Sequence, residues 1–201
     1  WIRRCQRLGR EKAGVCVAVH LGDHGGGMTP GTVYWFTGFS GAGKSTLATL
    51  FCDRLRGTGR TVVLLDGDRL RDVFGGDLGH SIEDRRRSAM RNSRLCQLLA
   101  DQGLDVVCAT ISLFHDCHDW NRAHLAQYRE IHVRAPLATL ESRDHKGIYA
   151  RVRSGELRDV IGIDLPAEEP RDPDVRIDND GRHTPGDAVE IVWRALFPSA
   201  N

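Results

Sequence analysis

The apolar run Thr32 to Thr37 (TVYWFT) stops at a glycine, the next eight residues read GFSGAGKS, and helical spacing then begins. Three glycines in so short a loop cost conformational entropy on folding, so the loop must need its backbone bare. Gly38, Phe39, Ser40, Gly41, Ala42, Gly43, Lys44 and Ser45 match G-x-x-x-x-G-K-[ST], in the strand-to-helix setting a phosphate-binding loop requires. Its N–H groups turn toward one anion, and the helix N-terminus adds partial positive charge. Lys44 is placed to reach the β and γ phosphates, Ser45 to offer its hydroxyl to Mg²⁺, and Thr46 follows in the same first turn. The loop therefore predicts a bound nucleoside triphosphate.

The rest of the chain alternates in the same way. Lys44 to Leu55 places Leu47, Leu50, Phe51 and Leu55 on one helical face, and Thr61 to Leu65 (TVVLL) reads as a second buried strand. Ser81 caps a long helix, with Asp84 completing an imperfect capping box and Gly103 ending it. Leu104 to Ala109 and Glu130 to Val133 are further strands, and a helix starts near Pro136. Residues 143 to 172 are charged and weakly periodic, and Ala188 to Leu196 closes as a helix. Strands separated by helices imply an α/β fold, a parallel sheet covered on both faces in three layers. There are no internal repeats, and residues 28 to 201 read as one domain.

Composition narrows the partners. Lys plus Arg number 28 against 27 for Asp plus Glu, so no global field draws the chain to nucleic acid or membrane. No apolar run approaches the roughly 18 residues a membrane span needs. The six cysteines (Cys5, Cys16, Cys52, Cys96, Cys108 and Cys117) form no CxxC pair and read as reduced thiols of a cytoplasmic protein. The chain opens on Trp1, and Met28, just before the first strand, reads as the natural start. Residues 1 to 27 then read as a leader expected to be poorly ordered.

A phosphate loop alone does not separate a kinase from a GTPase. No NKxD-like guanine reader is present, and the second strand ends in Asp66-Gly67-Asp68-Arg69-Leu70-Arg71. Two carboxylates at the carboxyl edge of such a sheet lie where ligands bind. One suits Mg²⁺, the other an acceptor hydroxyl.

Taken together, GFSGAGKSTLA, LDGDRLR, DLGHSIEDR, ISLF at Ile111 to Phe114, and RDHKGIYARVRSGEL followed by GIDLPAEEP resemble the adenylyl-sulfate kinases. Those enzymes use ATP to phosphorylate the 3′-hydroxyl of adenosine 5′-phosphosulfate, and the resemblance spans about Val33 to Leu196. It implies a P-loop kinase with a lid segment. Gly38 to Ser45 would hold the ATP phosphates, Ser45 with Asp66 would serve Mg²⁺, and Asp68 would face the acceptor hydroxyl. Arg71 and Arg85 would clamp the anionic part of the acceptor, and Ile111 to Phe114 would line its pocket. Ser112 matches a serine the family is described as phosphorylating, a chemistry that needs an activating base. Arg143 and Lys146, in the lid, would stabilise charge on the transferred group and its neighbours.

The departures fall on the acceptor side. The two aromatic rings that enclose the acceptor's adenine in that family are His80 and Val160 here, and the family's Asn and Arg on the long helix are Ser88 and Met90. Its Asp-Arg pair after Phe114 is lost to His115-Asp116-Cys117-His118, and a lid tyrosine is Ala167. His115, Cys117 and His118 fit no zinc spacing, leaving a reshaped acceptor pocket or exposed helix-start residues. Arg85, Arg86, Arg87, Arg91 and Arg94 read as a solvated basic face, Arg85 excepted.

Three readings stay open: an adenylyl-sulfate kinase, a related kinase acting on another nucleotide-linked or phosphorylated metabolite, and a non-catalytic ATP-binding regulator. The expected partner is a small anionic acceptor, a nucleotide by resemblance. The oligomeric state is open, with a homodimer compatible with the sequence.

Overall fold

The computed structural model describes residues 29–144, 147–158 and 160–198. The expected leader and Lys146 lie outside them. Five parallel strands form one sheet in the order β2-β3-β1-β4-β5: β1 (Val33–Thr37), β2 (Val62–Asp66), β3 (Asp105–Ala109), β4 (Tyr128–Arg134) and β5 (Val175–Asp178). Successive side chains of a strand point to opposite faces, so each central strand feeds two cores. In β1, Tyr34 and Phe36 join a cluster with Leu47, Phe51 and Leu55 of α1 (Lys44–Gly57) and Val189 and Val192 of α7 (Pro185–Leu196). Val33 and Trp35 face the other way, onto Ala89 and Cys96 of α3 (Ile82–Ala100) and Cys117 of α4 (His115–His124). That is the three-layer arrangement the alternation predicts.

The strand and helix ends match the sequence signals closely. Ser81 caps α3, its hydroxyl accepting the Asp84 N–H at 3.1 Å, and Gly103 turns with φ 78° after the last helical residues. Two elements depart from expectation. The Asp-Gly-Asp stretch opens a helix, α2 (Gly67–Val73), whose N-cap is Asp66. A fifth strand, β5, extends the sheet where no strand was read. Its Val175 and Ile177 are buried while Arg176 and Asp178 are exposed, an edge-strand pattern too short to stand out among charged neighbours. Helix α5 (Leu137–Ser142) follows Pro136 as expected, and a further short helix, α6 (Ile148–Arg153), stands at the start of the weakly periodic region. No described helix is long and apolar enough to cross a membrane.

Candidate active site

The carboxyl ends of β1, β2 and β3 open onto a cavity of about 750 Å³. Such strand ends, at the point where strand order reverses, are where open α/β sheets bind ligands. The loop after β1 enters α1 without a side-chain cap and without an acidic residue in the first turn, so the helix N-terminus is kept for an anion. Gly38 has φ 144°, and a Cβ there would lie 2.1 Å from the Val133 carbonyl oxygen, so only glycine fits. Lys44 folds back over the loop, its Nζ donating to the Phe39 carbonyl at 2.7 Å.

Ser40, Gly41, Gly43, Lys44, Ser45 and Thr46 all line the cavity, whereas Gly38, Phe39 and Ala42 do not. Ser45 Oγ donates to Asp66 Oδ2 at 2.6 Å, and Asp66 Oδ1 accepts the Asp68 N–H at 3.0 Å. One carboxylate thus ties α1 to α2 and leaves oxygen donors grouped beside the phosphate loop. A hydroxyl and a carboxylate are the hard ligands that Mg²⁺ takes.

The same cavity is lined further by Asp68, Arg71, His80, Arg85, Ser88, Ile111, Ser112, Phe114 and Val160. Arg71 donates to the Leu78 carbonyl at 2.8 Å and Arg85 Nε to the His80 carbonyl at 2.8 Å. Both cations therefore brace the loop before α3 while lining the cavity. Ser112 Oγ meets the Thr110 hydroxyl at 2.9 Å rather than a carboxylate or imidazole.

After α5, Ile148, Arg151, Leu157, Arg158, Val160 and Ile161 also line the cavity, and the residues around them are fastened by several bonds. Asp144 caps α6 by accepting the Ile148, Tyr149 and Ala150 N–H groups at 2.7, 2.8 and 3.2 Å. That turn delivers the Tyr149 hydroxyl to the Ser40 carbonyl at 2.9 Å, and burial pushes the phenol up to about 12, so it remains a donor. Farther on, Gly162 (φ 87°) lies under the Phe39 ring. Glu168 then accepts the His115 N–H at 2.6 Å and pairs with Arg86 at 2.8 Å. These bonds hold the Glu168 carboxyl below the usual range.

Several residues were read differently from sequence. Arg86 is no solvated side chain: it bridges Glu168 and Asp116 (2.6 Å) and covers the Phe114 ring at 4.7 Å. Arg91 likewise pairs with Asp77 at 2.7 Å and covers Phe74 at 4.7 Å. His115, Cys117 and His118 open α4 but line neither end of the main cavity, and Cys117 and His118 are buried rather than exposed. Among the described residues no group of three or more His, Cys, Asp or Glu is placed to hold a metal ion.

Sequence reasoning also missed Asn92, Asn179, His183 and Pro185, which line the cavity. Asn179 donates from Nδ2 to the Ala42 carbonyl at 2.8 Å and accepts from Arg143 at 2.9 Å, locking the phosphate loop to Arg143. Recognising β5 would have found it, because Asn179 directly follows that strand.

Comparison with known proteins gives a consistent picture. Residues 30–178 match the family model for adenylylsulphate kinase. An adenylyl-sulfate kinase of Clostridium kluyveri is 42% identical over 72% of this chain and 73% of its own length. A probable adenylyl-sulfate kinase of Halalkalibacterium halodurans is 41% identical over 82% of each chain. Among solved structures, the Mycobacterium tuberculosis APS kinase CysC, in complex with AMPPNP and APS, superposes with a TM-score of 0.77 at 36% identity. It covers 83% of this chain and 98% of that one.

Proposed function

Because the chain belongs to the adenylylsulphate kinase family, we propose that it transfers the γ-phosphoryl group of ATP to the 3′-hydroxyl of adenosine 5′-phosphosulfate. The observation that carries this reading is one cavity lined both by the phosphate loop and by Asp68, Arg71 and Arg85. A phosphoryl acceptor and donor held in one enclosure need little covalent help, since such transfer rests on positioning and charge stabilisation.

In this reading the loop N–H groups and Lys44 hold the β and γ phosphates. Ser45 and Asp66 hold Mg²⁺, which when bound neutralises charge on the phosphates. Asp68 orients the acceptor hydroxyl and takes its proton as the oxygen attacks. Arg71 and Arg85 face the anionic end of the acceptor while keeping their carbonyl contacts, which fixes their direction. Arg143, anchored on Asn179, closes the ATP end, and Lys146 belongs to the same reading through the resemblance alone. Ser112 has no hydrogen-bonded base to activate it, so direct transfer is favoured over a phosphoserine intermediate. Action in the cytoplasm on a soluble nucleotide completes the reading.

A second reading, another nucleotide-linked or phosphorylated acceptor, is favoured by one observation. The acceptor end carries His80 and Val160 where the family resemblance sets aromatic rings, and it adds Ser88 and Asn92. A panel of sulfonucleotides, cytidine nucleotides and sugar phosphates, tested with γ-labelled ATP and Mg²⁺, decides between them. Preference for adenylyl sulfate supports the first reading, and strong turnover of another panel member replaces it. ATP binding with no turnover of any acceptor would leave a regulator.

A further inference from the structure

Behind the acceptor end of the cavity stands a buried polar group that the proposed mechanism does not use. Ser112 has φ 28°, and it is the one described non-glycine residue with positive φ. A side chain in that region costs free energy, so surrounding contacts must over-determine it. The contacts converge on its carbonyl oxygen, which accepts the Phe114 N–H at 3.0 Å and His118 Nε2 at 2.8 Å. A carbonyl only accepts, so Nε2 carries the hydrogen.

The far side of the imidazole faces a buried carboxylate. Its Nδ1 lies 3.3 Å from Glu130 Oε1, on β4, with no hydrogen bond between the two atoms, and Glu130 Oε2 accepts from Arg122 at 2.6 Å. Arg122 also donates to the Asp172 carbonyl at 2.5 Å. His118 and Glu130 are 4% and 1% exposed, so the imidazole and the carboxylate are buried, while Arg122 reaches them from the surface. A core position that only needed filling would carry an apolar side chain without these desolvation costs.

We propose that His118 is a positioning residue for phosphoryl transfer. By donating Nε2–H to the Ser112 carbonyl, it holds residues 110–114 in the strained turn that presents Ile111, Ser112 and Phe114 to the acceptor. The inference rests on the acceptor-site reading given above.

The test compares His118→Leu, which keeps the bulk and removes the donor, with His118→Gln, whose side-chain amide can still reach the carbonyl. Steady-state kinetics are run with adenylyl sulfate and ATP, and crystal structures of both variants report the Ser112 backbone. The leucine variant is expected to lose about 10- to 100-fold in kcat/KM for the acceptor, the scale set by a strained backbone position, with KM for ATP unchanged. Its Ser112 φ is expected to leave the positive region. The glutamine variant is expected to recover most of the activity and to keep the strained φ.

A leucine variant with parent kcat/KM and an unchanged Ser112 φ overturns the proposal. So does an equal loss in both variants with the turn intact. If the leucine variant does not fold, the glutamine variant decides alone: retained activity and φ support the positioning role, and their loss refutes it. Should the parent itself not phosphorylate adenylyl sulfate, the acceptor reading falls, while the backbone comparison still decides the role of His118.

Discussion

Gly162→Ala tests how the segment after α6 closes over the phosphate loop. A Cβ at residue 162 would lie 2.2 Å from Phe39 Cε1, well inside contact distance, and the backbone there has φ 87°. Placing alanine in the left-handed region costs about 1–2 kcal/mol. Displacing a packed ring to admit a methyl costs about 1–3 kcal/mol more. The sum, about 2–5 kcal/mol, falls on the closed arrangement alone, because a segment lifted from Phe39 escapes both penalties. Lifted forms should therefore gain roughly 30- to 5,000-fold over the closed one. The Tyr149–Ser40 and Glu168–His115 bonds set how far the segment moves.

Steady-state kinetics should show kcat/KM for the acceptor down by about 30-fold or more, with ATP affinity by calorimetry within about 3-fold of the parent, since the phosphate-loop glycines and Lys44 are untouched. Phe39→Leu, which removes the obstructing edge, should partly rescue the alanine variant. Parent-like kcat/KM in Gly162→Ala would refute the reasoning. A loss matched by collapse of ATP binding and of the melting transition would refute it too, because the effect would then be global.

Lys44→Ala should abolish transfer while leaving the circular dichroism spectrum and melting cooperativity unchanged; near-normal turnover would detach this loop from the transferred phosphate. Asp68→Asn should keep ATP affinity and lower kcat by about 10²-fold, the range for a lost general base, and unchanged kcat in single-turnover measurements would remove that role. His80→Phe combined with Val160→Phe should tighten adenosine 5′-phosphosulfate by roughly 5- to 150-fold, from two ring contacts at about 0.5–1.5 kcal/mol each; weaker binding by calorimetry would mean the pocket holds adenine in another way. His132 is buried without a hydrogen-bond partner among the described residues, and burial, then Arg134, lowers its pKa from 6.5 to about 4. The unfolded chain therefore binds the extra proton between those values, so stability is complete above about pH 6.5 and falls by up to about 3 kcal/mol toward pH 4. Urea melts should show His132→Gln flattening that acid limb, and an unchanged limb would assign it elsewhere.

Much of this architecture is written in local pattern. The strand–GFSGAGKS–helix unit fixes one end of the cavity because glycine, lysine and serine each have a backbone or phosphate role that few alternatives satisfy. Ser81 and Gly103 mark α3 by capping chemistry that acts within a turn. Long-range pairing is what local pattern does not carry. Arg86 looks like one more exposed arginine until Asp116, Glu168 and Phe114 surround it. His118 looks like part of an exposed helix start until β4 places Glu130 behind it. Edge strand β5 escaped because four residues of alternating burial resemble any charged loop, and Asn179 was missed with it.

The central claim is the identity of the reaction, and its most direct measurement is the product. The purified protein is incubated with γ-³²P-labelled ATP, Mg²⁺ and adenosine 5′-phosphosulfate, and the labelled nucleotide is isolated and treated with a 3′-specific nucleotidase. A labelled 3′-phospho product is expected, its label released by that enzyme, and it should not form with Asp68→Asn at a comparable rate. Absence of labelled nucleotide with an active, ATP-binding protein, or label resistant to 3′ cleavage, would contradict it.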